Sequence, residues 1–464
     1  MYTKDTARLL ARLGIVALLA AFGLILTTTP SQAASTLRAA AAEKNIVIGT
    51  AVATGPLASE TAYRTTVARE FNSLTAENAM KWDTVEPSPN SFNWSGGDAV
   101  VNFAAANGQR VYGHTLVWHS QAPSWVQNLP AAELLPAMRN HITKVMQHYS
   151  TVDSWDVVNE VIGDNAAYRD SFWYQKLGSS YIAEAFRAAR AANPSAKLYI
   201  NDYNIDGVNA KSTMYYNMIR DLKAQGVPID GIGFQAHLIV GGVPGDMRAN
   251  LQRFADLGLD VRITELDIRM QTPSDATKLA RQATDYAAVV NACLGVSRCR
   301  GITIWGFTDK YSWVPDVFPG QGAALIYDAN YQAKPAYTST LTALGGTPGD
   351  PGPGPDPGTG PCRITYRTND WQGGFTGSVT IANTGTAAIS SWSLVWTFPS
   401  GQTVSQGWNG TYSQSGTTVT VRNVSYNGSI APGQSTQTGF NGTWTGSNPA
   451  PSAFTLNGTA CTLG

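Results

Sequence analysis

The chain has 464 residues, too many for one ordinary hydrophobic core, and this length predicts roughly two to four domains. Lys and Arg together number 32, Asp and Glu also number 32, and only 14% of residues are charged. With neither a net charge nor a basic run, the composition argues against nucleic acid or an anionic surface as a partner.

The N-terminal segment has the pattern of a secretory signal peptide. Basic residues precede an apolar run from Leu13 to Leu26, and small residues occupy positions −3 and −1 of a site after Ala33. The run is short for a membrane span. We therefore expect residues 1–33 to be removed and the mature protein to be secreted without a membrane anchor.

Residues 34–345 alternate between strand-like and helix-like segments. Helical patterns such as Tyr181–Ala192 and Ser274–Ala292 separate the strands. Strands are predicted at Ile46–Val52, Ser73–Asn78, Arg110–Trp118, Ser154–Glu160, Lys197–Asn204, Gly231–His237, Asp260–Asp267 and Gly301–Asp309. Such a series of βα units predicts an α/β fold, a closed (β/α)8 TIM barrel. An open doubly wound sheet is the alternative, but no glycine-rich nucleotide fingerprint follows the first strand.

Polar and aromatic residues gather where the predicted strands end, which is where barrels of this kind carry their catalytic groups. In strand order they are Glu77, Asn78 and Lys81; His114, Trp118 and His119; Asn159 and Glu160; Gln235 and His237; Glu265 and Asp267; and Trp305 and Trp313. A single such glutamate is more often a solvated or ion-paired carboxylate. Two glutamates that each close an apolar run, Glu160 and Glu265, match the paired carboxylates that glycosidic bond cleavage requires.

Metal chemistry is not predicted for these strand ends. His114 and His119 lie five residues apart, but no cysteine or carboxylate ligand set accompanies them. We expect no metal and no cofactor.

Six segments of this region form an ordered series: Thr75–Trp82, Gly113–His119, Trp155–Glu160, Gln235–His237, Ile263–Asp267 and Trp305–Asp309. Together they resemble glycoside hydrolase family 10, the endo-β-1,4-xylanases, and the resemblance extends over residues 44–343. It implies a retaining double displacement, with Glu160 as the acid/base and Glu265 as the nucleophile.

The resemblance also implies roles for the other strand-end residues. Asn159 is expected to bond the 2-hydroxyl of the reacting sugar, and His237, oriented by Asp267, to support Glu265. Trp305 and Trp313 are expected to restrict a C5 hydroxymethyl group, which favours xylose over glucose. The residues implied to bind the same sugar and its neighbour are Glu77, Asn78, Lys81, His114, Trp118 and Gln235.

Residues 346–361 are predicted to form a linker, because twelve of the sixteen are proline or glycine. The following residues, 362–464, are rich in Thr, Ser, Gly and Asn and show alternating runs such as Gly377–Ala382. This pattern predicts a small all-β sandwich of immunoglobulin-like or jelly-roll type.

The four cysteines of a secreted chain are expected to form disulfides. Their positions predict a local pair, Cys293 with Cys299, and a distant pair, Cys362 with Cys461. Free thiols or metal ligands are disfavoured, because no Cys-x-x-Cys motif or Cys/His cluster occurs.

The C-terminal segment has Trp371, Trp408 and Tyr426 in polar surroundings, whereas Trp392 and Trp396 lie in a more apolar run and are assigned to the core. The segment resembles a carbohydrate-binding module of family 2, which implies that the first three aromatic residues stack on cellulose. Tyr426 stands where that family usually has tryptophan, so a lower affinity is expected and the choice between cellulose and xylan stays open.

The sequence thus predicts a secreted, monomeric endo-β-1,4-xylanase. Its expected partners are xylan and xylo-oligosaccharides and, through the C-terminal module, insoluble cellulose of the plant cell wall. A β-1,4-glucanase on the same barrel is the enzymatic alternative. A non-catalytic carbohydrate-binding protein or adhesin is the alternative from another class, and the presence of both glutamates argues against it.

Overall fold

The computed structural model describes residues 34–347, 362–385, 387–451 and 453–463. Two separate hydrophobic cores form, one from residues between Ala34 and Leu344 and the other from residues between Cys362 and Leu456. The predicted signal peptide and residues 348–361 of the predicted linker lie outside the described residues, so the bounds of the four predicted segments stay predictions. Within the described ranges, no helix has the length and apolar character needed to cross a membrane.

The N-terminal region alternates strands with helices. Its strands are β1 (Val47–Val52), β2 (Ser73–Ala76), β3 (Arg110–Gly113), β4 (Ser154–Asn159), β5 (Lys197–Asp202), β6 (Gly231–Phe234), β7 (His237–Ile239), β8 (Asp260–Gln271), β9 (Cys299–Ile304) and β10 (Gln321–Gly322). Its helices are α1 (Leu37–Glu43), α2 (Thr54–Ser59), α3 (Thr61–Glu70), α4 (Trp82–Val85), α5 (Ser95–Ala106), α6 (Ser124–Asn128), α7 (Ala131–His148), α8 (Phe172–Leu177), α9 (Ser180–Ala192), α10 (Ala210–Ala224), α11 (Met247–Asp256), α12 (Ala276–Leu294), α13 (Val314–Val317) and α14 (Pro335–Ala343), with a short 3₁₀ turn at Asp309–Tyr311.

The barrel is closed. Strands β1 to β6 pair in sequence order, β8 pairs with β6, and β9 pairs in parallel with both β8 and β1. All eight of these strands are parallel, so their C-terminal ends meet at one mouth. The prediction of a (β/α)8 barrel is confirmed, and the open doubly wound sheet is excluded.

Local sequence explains how the helices form and which face they bury. Helix α9 buries Tyr181, Ile182, Phe186 and Ala189, and this spacing of three to four residues lays one apolar stripe against the barrel. Helix α10 begins with a capping box, in which Asn209 and Ser212 exchange side-chain and backbone hydrogen bonds.

Several predicted strands end earlier than expected, because left-handed residues interrupt the extended backbone. Glu160 follows β4 with φ of 58°, Asn204 follows β5 with φ of 56°, and Ala236 separates β6 from β7 with φ of 58°. The third strand also ends at Gly113 rather than at Trp118. Strand β8, in contrast, extends to Gln271, because β7 and β10 pair with its outer half.

The C-terminal region is all β. Its strands are β11 (Cys362–Trp371), β12 (Gly374–Asn383), β13 (Ser393–Thr397), β14 (Thr403–Trp408), β15 (Thr411–Ser415), β16 (Thr418–Arg422), β17 (Ser435–Thr443), β18 (Phe454–Leu456) and β19 (Thr459–Leu463). They run in the order β14-β17-β12-β11-β19-β18-β13-β16-β15, and β19 joins the two halves of the sandwich. Trp392 and Trp396 are buried in its core, with Phe375 and Phe440.

Both cysteine pairs expected from the sequence are bonded. Cys293 and Cys299 close a short loop before β9. Cys362 and Cys461 join β11 to β19, near the two ends of the C-terminal region. The second bridge closes a loop of 99 residues, which loop-entropy models value at about 4 to 5 kcal/mol.

We expect Gly113→Ala to lower the free energy of unfolding by about 1 to 3 kcal/mol through overpacking. A Cβ atom on Gly113 would lie 2.2 Å from the buried indole of Trp155. Gly55→Ala is the matched control, because a Cβ atom there would meet nothing within 4 Å. Urea unfolding followed by tryptophan fluorescence measures both variants, and equal stabilities would contradict the packing argument.

Candidate active site

One cleft of about 1100 Å³ lies at the C-terminal mouth of the barrel. The residues predicted for a site in the barrel line it together: Glu77, Asn78, Lys81, His114, Trp118, Asn159, Glu160, Gln235, His237, Glu265, Trp305 and Trp313. They come from elements as far apart in sequence as β2 and the loop after β9. Barrel closure therefore brings the predicted strand-end residues to one place, as expected for this fold.

Glu265 is a buried carboxylate that neighbouring donors hold in its ionised form. Asn201 donates from Nδ2 to its Oε1 at 2.7 Å, and Nε2 of His237 lies 3.2 Å from its Oε2. Burial alone would raise the pKa of Glu265, but the hydrogen bond from His237 and the nearby histidine charges bring it below its ordinary value. Glu265 is thus suited to act as a nucleophile rather than as a proton donor.

His237 is held in place by a second carboxylate. Asp267 accepts at Oδ2 from Nδ1 of His237 at 2.9 Å and from Nε1 of Trp313 at 2.7 Å. Burial would lower the pKa of His237, but the charge of Asp267 and the bonds to Asp267 and Glu265 raise it to about 10. The ring is therefore a cation at neutral pH and stabilises the charge of Glu265.

Glu160 sits in the first turn after β4, and its surroundings differ from those of Glu265. Its Oε1 accepts from Nε2 of Gln235 at 3.1 Å, and its backbone carbonyl accepts from Nε of Arg169 at 2.7 Å. Its side chain is about one-eighth exposed, more than that of Glu265. The two glutamates thus face one cleft in distinct environments, as separate acid and nucleophile roles require.

His119 lies beside Glu160, with its Nδ1 4.0 Å from Oε2 of the carboxylate. Burial, with the charges of Arg169 and Lys211, lowers the pKa of His119 to about 4. The ring is therefore neutral at ordinary pH and adds no positive charge next to Glu160. The sequence placed His119 at this mouth without assigning it a role.

A polar cluster lines the side of the cleft formed after β2. Nζ of Lys81 donates to Oδ1 of Asn78 at 2.9 Å and to Oε1 of Gln121 at 2.7 Å. Burial lowers the pKa of Lys81 and raises that of Glu77, and each opposes the other's shift through its charge. Fixed donors and acceptors at the cleft wall suit the hydroxyl groups of a sugar.

Asp156 and Tyr112, which are both buried, orient His114 of the cleft. Nδ1 of His114 lies 2.9 Å from Oδ2 of Asp156, whose Oδ1 accepts from Tyr112 at 2.6 Å. This bond leaves Nε2 of His114 available to the cleft.

Among the described residues, no group of three or more histidines, cysteines or carboxylates could hold a metal ion.

The sequence did not identify Asn201, near the end of β5, although this residue bonds Glu265 directly. Besides bonding Glu265, its Nδ2 lies 3.1 Å from Oδ1 of Asn159, and its own Oδ1 accepts from Thr264 at 2.6 Å. The sequence did contain a signal for this residue, because the fifth predicted strand ends in four polar residues, Asn201 to Asn204. Tyr203, Asn204 and Gln121 also line the cleft.

In the C-terminal region the three predicted aromatic residues are exposed: Trp371 to 50%, Trp408 to 41% and Tyr426 to 74%. Strand register puts the two tryptophans on one face. Trp371 lies over Gly374, which pairs with Thr443, and Trp408 lies over Gly439, four residues earlier on β17. Tyr426 bonds through its hydroxyl to Asn409, next to Trp408.

A closed barrel with two glutamates at its mouth, one held ionised, defines a glycoside hydrolase. The chain belongs to glycosyl hydrolase family 10, whose sequence model matches residues 36–343. A model described as a cellulose binding domain matches residues 362–461. Both resemblances stated from the sequence are confirmed.

Named relatives and solved structures agree with this family. An endo-1,4-beta-xylanase of Agaricus bisporus is 53% identical over 271 residues, which are 58% of this chain and 81% of the relative. The crystal structure of xylanase 10B from Thermotoga maritima is 44% identical, with a TM-score of 0.65 over 67% of this chain and 98% of that one. Xylanase 10B from Thermotoga petrophila, solved with xylobiose, is also 44% identical with a TM-score of 0.65, over 67% and 97% of the two chains.

We expect the pKa values of His119 and His237 to be shifted in opposite directions. In ¹⁵N-histidine NMR spectra, which contain signals from five histidines, His119 stays neutral and His237 stays charged between about pH 5 and pH 8. Asp267→Asn should lower the pKa of His237, because it removes the charge that stabilises the imidazolium. Titration of His237 near its ordinary pKa in the unmodified protein would contradict this account.

Proposed function

We propose that the protein is a secreted, monomeric endo-β-1,4-xylanase that cleaves internal β-1,4-xylosidic bonds of xylan with retention of anomeric configuration. The observation that carries the proposal is the pairing of an ionised, buried Glu265 with Glu160 across one cleft. The names of the family relatives support xylan as the substrate, and one solved relative holds xylobiose.

In the first step, a carboxylate oxygen of Glu265 attacks the anomeric carbon while the carboxyl group of Glu160 donates a proton to the leaving glycosidic oxygen. A glycosyl ester to Glu265 forms as the glycosidic bond breaks. Donors from Asn201 and His237 stabilise Glu265 as the attacking anion. For this retaining geometry, the two carboxyl groups should lie about 5 to 5.5 Å apart.

In the second step, Glu160 takes a proton from a water molecule that attacks the same anomeric carbon and releases Glu265. One residue thus serves as acid and then as base. Gln235 supports this exchange, because its amide bonds Oε1 of Glu160 at 3.1 Å and holds the carboxyl near the reacting bond.

Asn159 is proposed to bind the 2-hydroxyl of the sugar under attack. Its Oδ1 accepts from Asn201 at 3.1 Å and from Gln235 at 3.3 Å, so the orientation of the amide is set and Nδ2 faces the cleft side of Glu160. A hydrogen bond between this fixed amide and the 2-hydroxyl is proposed to strengthen as the transition state forms, which stabilises the transition state more than the bound substrate.

The preference for xylose over glucose is assigned to the two tryptophans beyond β9. Trp313 is anchored by its bond to Asp267, and the ring of Trp305 lies 5.2 Å from that of His114. Rings held by such contacts cannot move aside readily, so a hydroxymethyl group at C5 would meet them. Steric exclusion of one small group is worth about 1 to 3 kcal/mol, so slow cleavage of glucosidic substrates is compatible with the proposal.

We expect Glu265→Ala to abolish hydrolysis of xylan, and Glu160→Ala to lose it on xylan while turning over aryl xylosides with good leaving groups. A good leaving group does not need the proton that Glu160 donates in the first step, so some turnover remains, slowed by loss of the base in the second step. Azide should restore turnover to Glu265→Ala and give the product of inverted configuration. Initial release of the α-anomer by the unmodified enzyme, observed by proton NMR, would contradict the retaining mechanism.

The C-terminal module is proposed to bind insoluble cellulose and thereby to hold the enzyme near xylan of the plant cell wall. Trp371 and Trp408 present exposed rings on one face, with Tyr426 beside them. Each tryptophan lies against a glycine, where a Cβ atom would come within 2.4 or 2.5 Å of the indole, so only glycine lets the ring lie this close to the sheet. Flat, uncharged faces of this kind stack on pyranose rings.

We expect Trp408→Ala to reduce sedimentation of the full chain with microcrystalline cellulose by about tenfold, since loss of one stacked ring costs about 1 to 2 kcal/mol. Activity on soluble xylan should not change. Leu463→Ala is the matched control, because Leu463 is another exposed apolar side chain of the same module. Equal binding of the two variants to cellulose would contradict the proposal that Trp408 belongs to the cellulose-binding surface.

A further inference from the structure

Three lysine or arginine side chains line the cleft: Lys81, Arg269 and Lys310. Among the described residues, no carboxylate lies within ion-pair distance of Arg269, and the charge of Asp267 acts on it only from farther away. Lys310 pairs with Glu60 at 3.0 Å, and Lys81 is bound by two amide oxygens and faces Glu77 and Glu265. Arg269 instead contacts a side-chain amide, a backbone carbonyl and an aromatic ring, none of which carries a negative charge.

These contacts hold the guanidinium in one orientation. Its Nε donates to Oε1 of Gln321 at 3.0 Å, Nη1 donates to the carbonyl of His237 at 3.5 Å, and its central carbon lies 4.0 Å from the ring centre of Phe318. A guanidinium has five N–H donors in a planar fork. The two described bonds therefore leave donors free on a side chain that is already ordered, at the wall of the cleft.

The position of Arg269 separates it from the reacting bond. Arg269 follows Glu265 by four residues on β8, so both side chains leave the strand on the same face, about 13 Å apart along it. Asp267 lies between them and is occupied by His237 and Trp313. A ligand group that reaches Arg269 must therefore belong to a different part of the substrate from the sugar under attack.

We propose that Arg269 binds the carboxylate of a uronic acid side chain carried by a xylose residue close to the cleavage point. The inference rests on the proposed xylanase function and adds a class of substrate to it, the acidic xylans. A carboxylate fits the free side of the guanidinium fork and forms charge-assisted hydrogen bonds with it. Asp316 also lines the cleft, so both positive and negative charges face the substrate there. Recognition of the carboxylate therefore depends on direct hydrogen bonds from the guanidinium of Arg269 rather than on the net charge of the cleft.

The test compares one xylo-oligosaccharide that bears a single glucuronosyl side chain with the same compound after reduction of its carboxyl group to an alcohol. The unmodified enzyme should favour the acidic compound by about tenfold in kcat/KM at low salt. The preference should shrink as salt is added. Arg269→Met, which keeps the stem on Phe318, should bring the ratio close to one, and Arg269→Lys should give an intermediate ratio.

Arg220→Met is the matched control, because Arg220 is exposed on α10 and, among the described residues, forms an ion pair only with its neighbour Asp221 at 2.8 Å. It removes one positive charge from the protein and should leave the ratio unchanged. An unchanged ratio in Arg269→Met would overturn the proposal. So would an equal loss on both compounds, which would show that Arg269 supports the Asp267–His237 pair instead.

Binding measurements separate this inference from the proposed function. Calorimetry with Glu265→Ala compares the affinities for the acidic and the reduced compound without any turnover. Because Glu265→Ala also uncovers the charges of His237 and Lys81, the same measurement is made with Arg269→Met added. A preference for the acidic compound that disappears with Arg269→Met supports the role of Arg269 even if xylan were not hydrolysed. Equal affinities in Glu265→Ala, or a preference that persists in the double variant, overturn it even if xylan were hydrolysed.

Discussion

The cleft depends on keeping Glu265 ionised in a buried position. A carboxylate removed from water is costly unless donors and a counter-charge replace its hydration. Asn201 and His237 supply the donors, Asp267 keeps His237 charged, and Trp313 holds Asp267. These residues come from β5, β7, β8 and the segment after β9, so the charge of one side chain is stabilised only when the barrel is closed.

The same requirement explains why the strands end as they do. Glu160 and Ala236 have left-handed backbones, a conformation that costs a non-glycine residue about 1 to 3 kcal/mol and is found mainly where the surroundings enforce it. For Glu160, the backbone N–H bonds the carbonyl of Asn201 at 2.9 Å, and the carbonyl accepts from Arg169. The turn redirects Glu160 from the line of β4 toward the cleft, which an extended strand would not do.

The sequence predicted the barrel and the cleft-lining residues because both follow from local patterns. Apolar runs mark the parallel strands, and the polar residues that end them meet at one mouth whatever the lengths of the loops. The contact of Asn201 with Glu265 spans 64 residues, and that of Trp313 with Asp267 spans 46. Contacts between residues so far apart in the chain leave no periodic pattern in the sequence, so the sequence did not predict them. The break of the sixth predicted strand into β6 and β7 was missed for a related reason, since Gln235 and Ala236 carry no turn signal.

The two proposed sugar-binding surfaces, the barrel cleft and the exposed face of the C-terminal module, use tryptophan in different ways. The difference follows from what surrounds each ring. In the cleft, Trp313 is partly buried and its indole N–H is bound to a carboxylate, so its edge is fixed relative to the reacting sugar. A fixed edge discriminates between substrates by shape. In the module, Trp371 and Trp408 lie close against glycines, so each is positioned to offer a ring face. Every pyranose has an apolar face, and the proposed cellulose-binding surface would therefore hold a polymer without selecting the bond to be cleaved. In the proposed function, selection belongs to the cleft, where the two carboxylates would supply the chemistry and the groups fixed around them would determine which sugar reaches it.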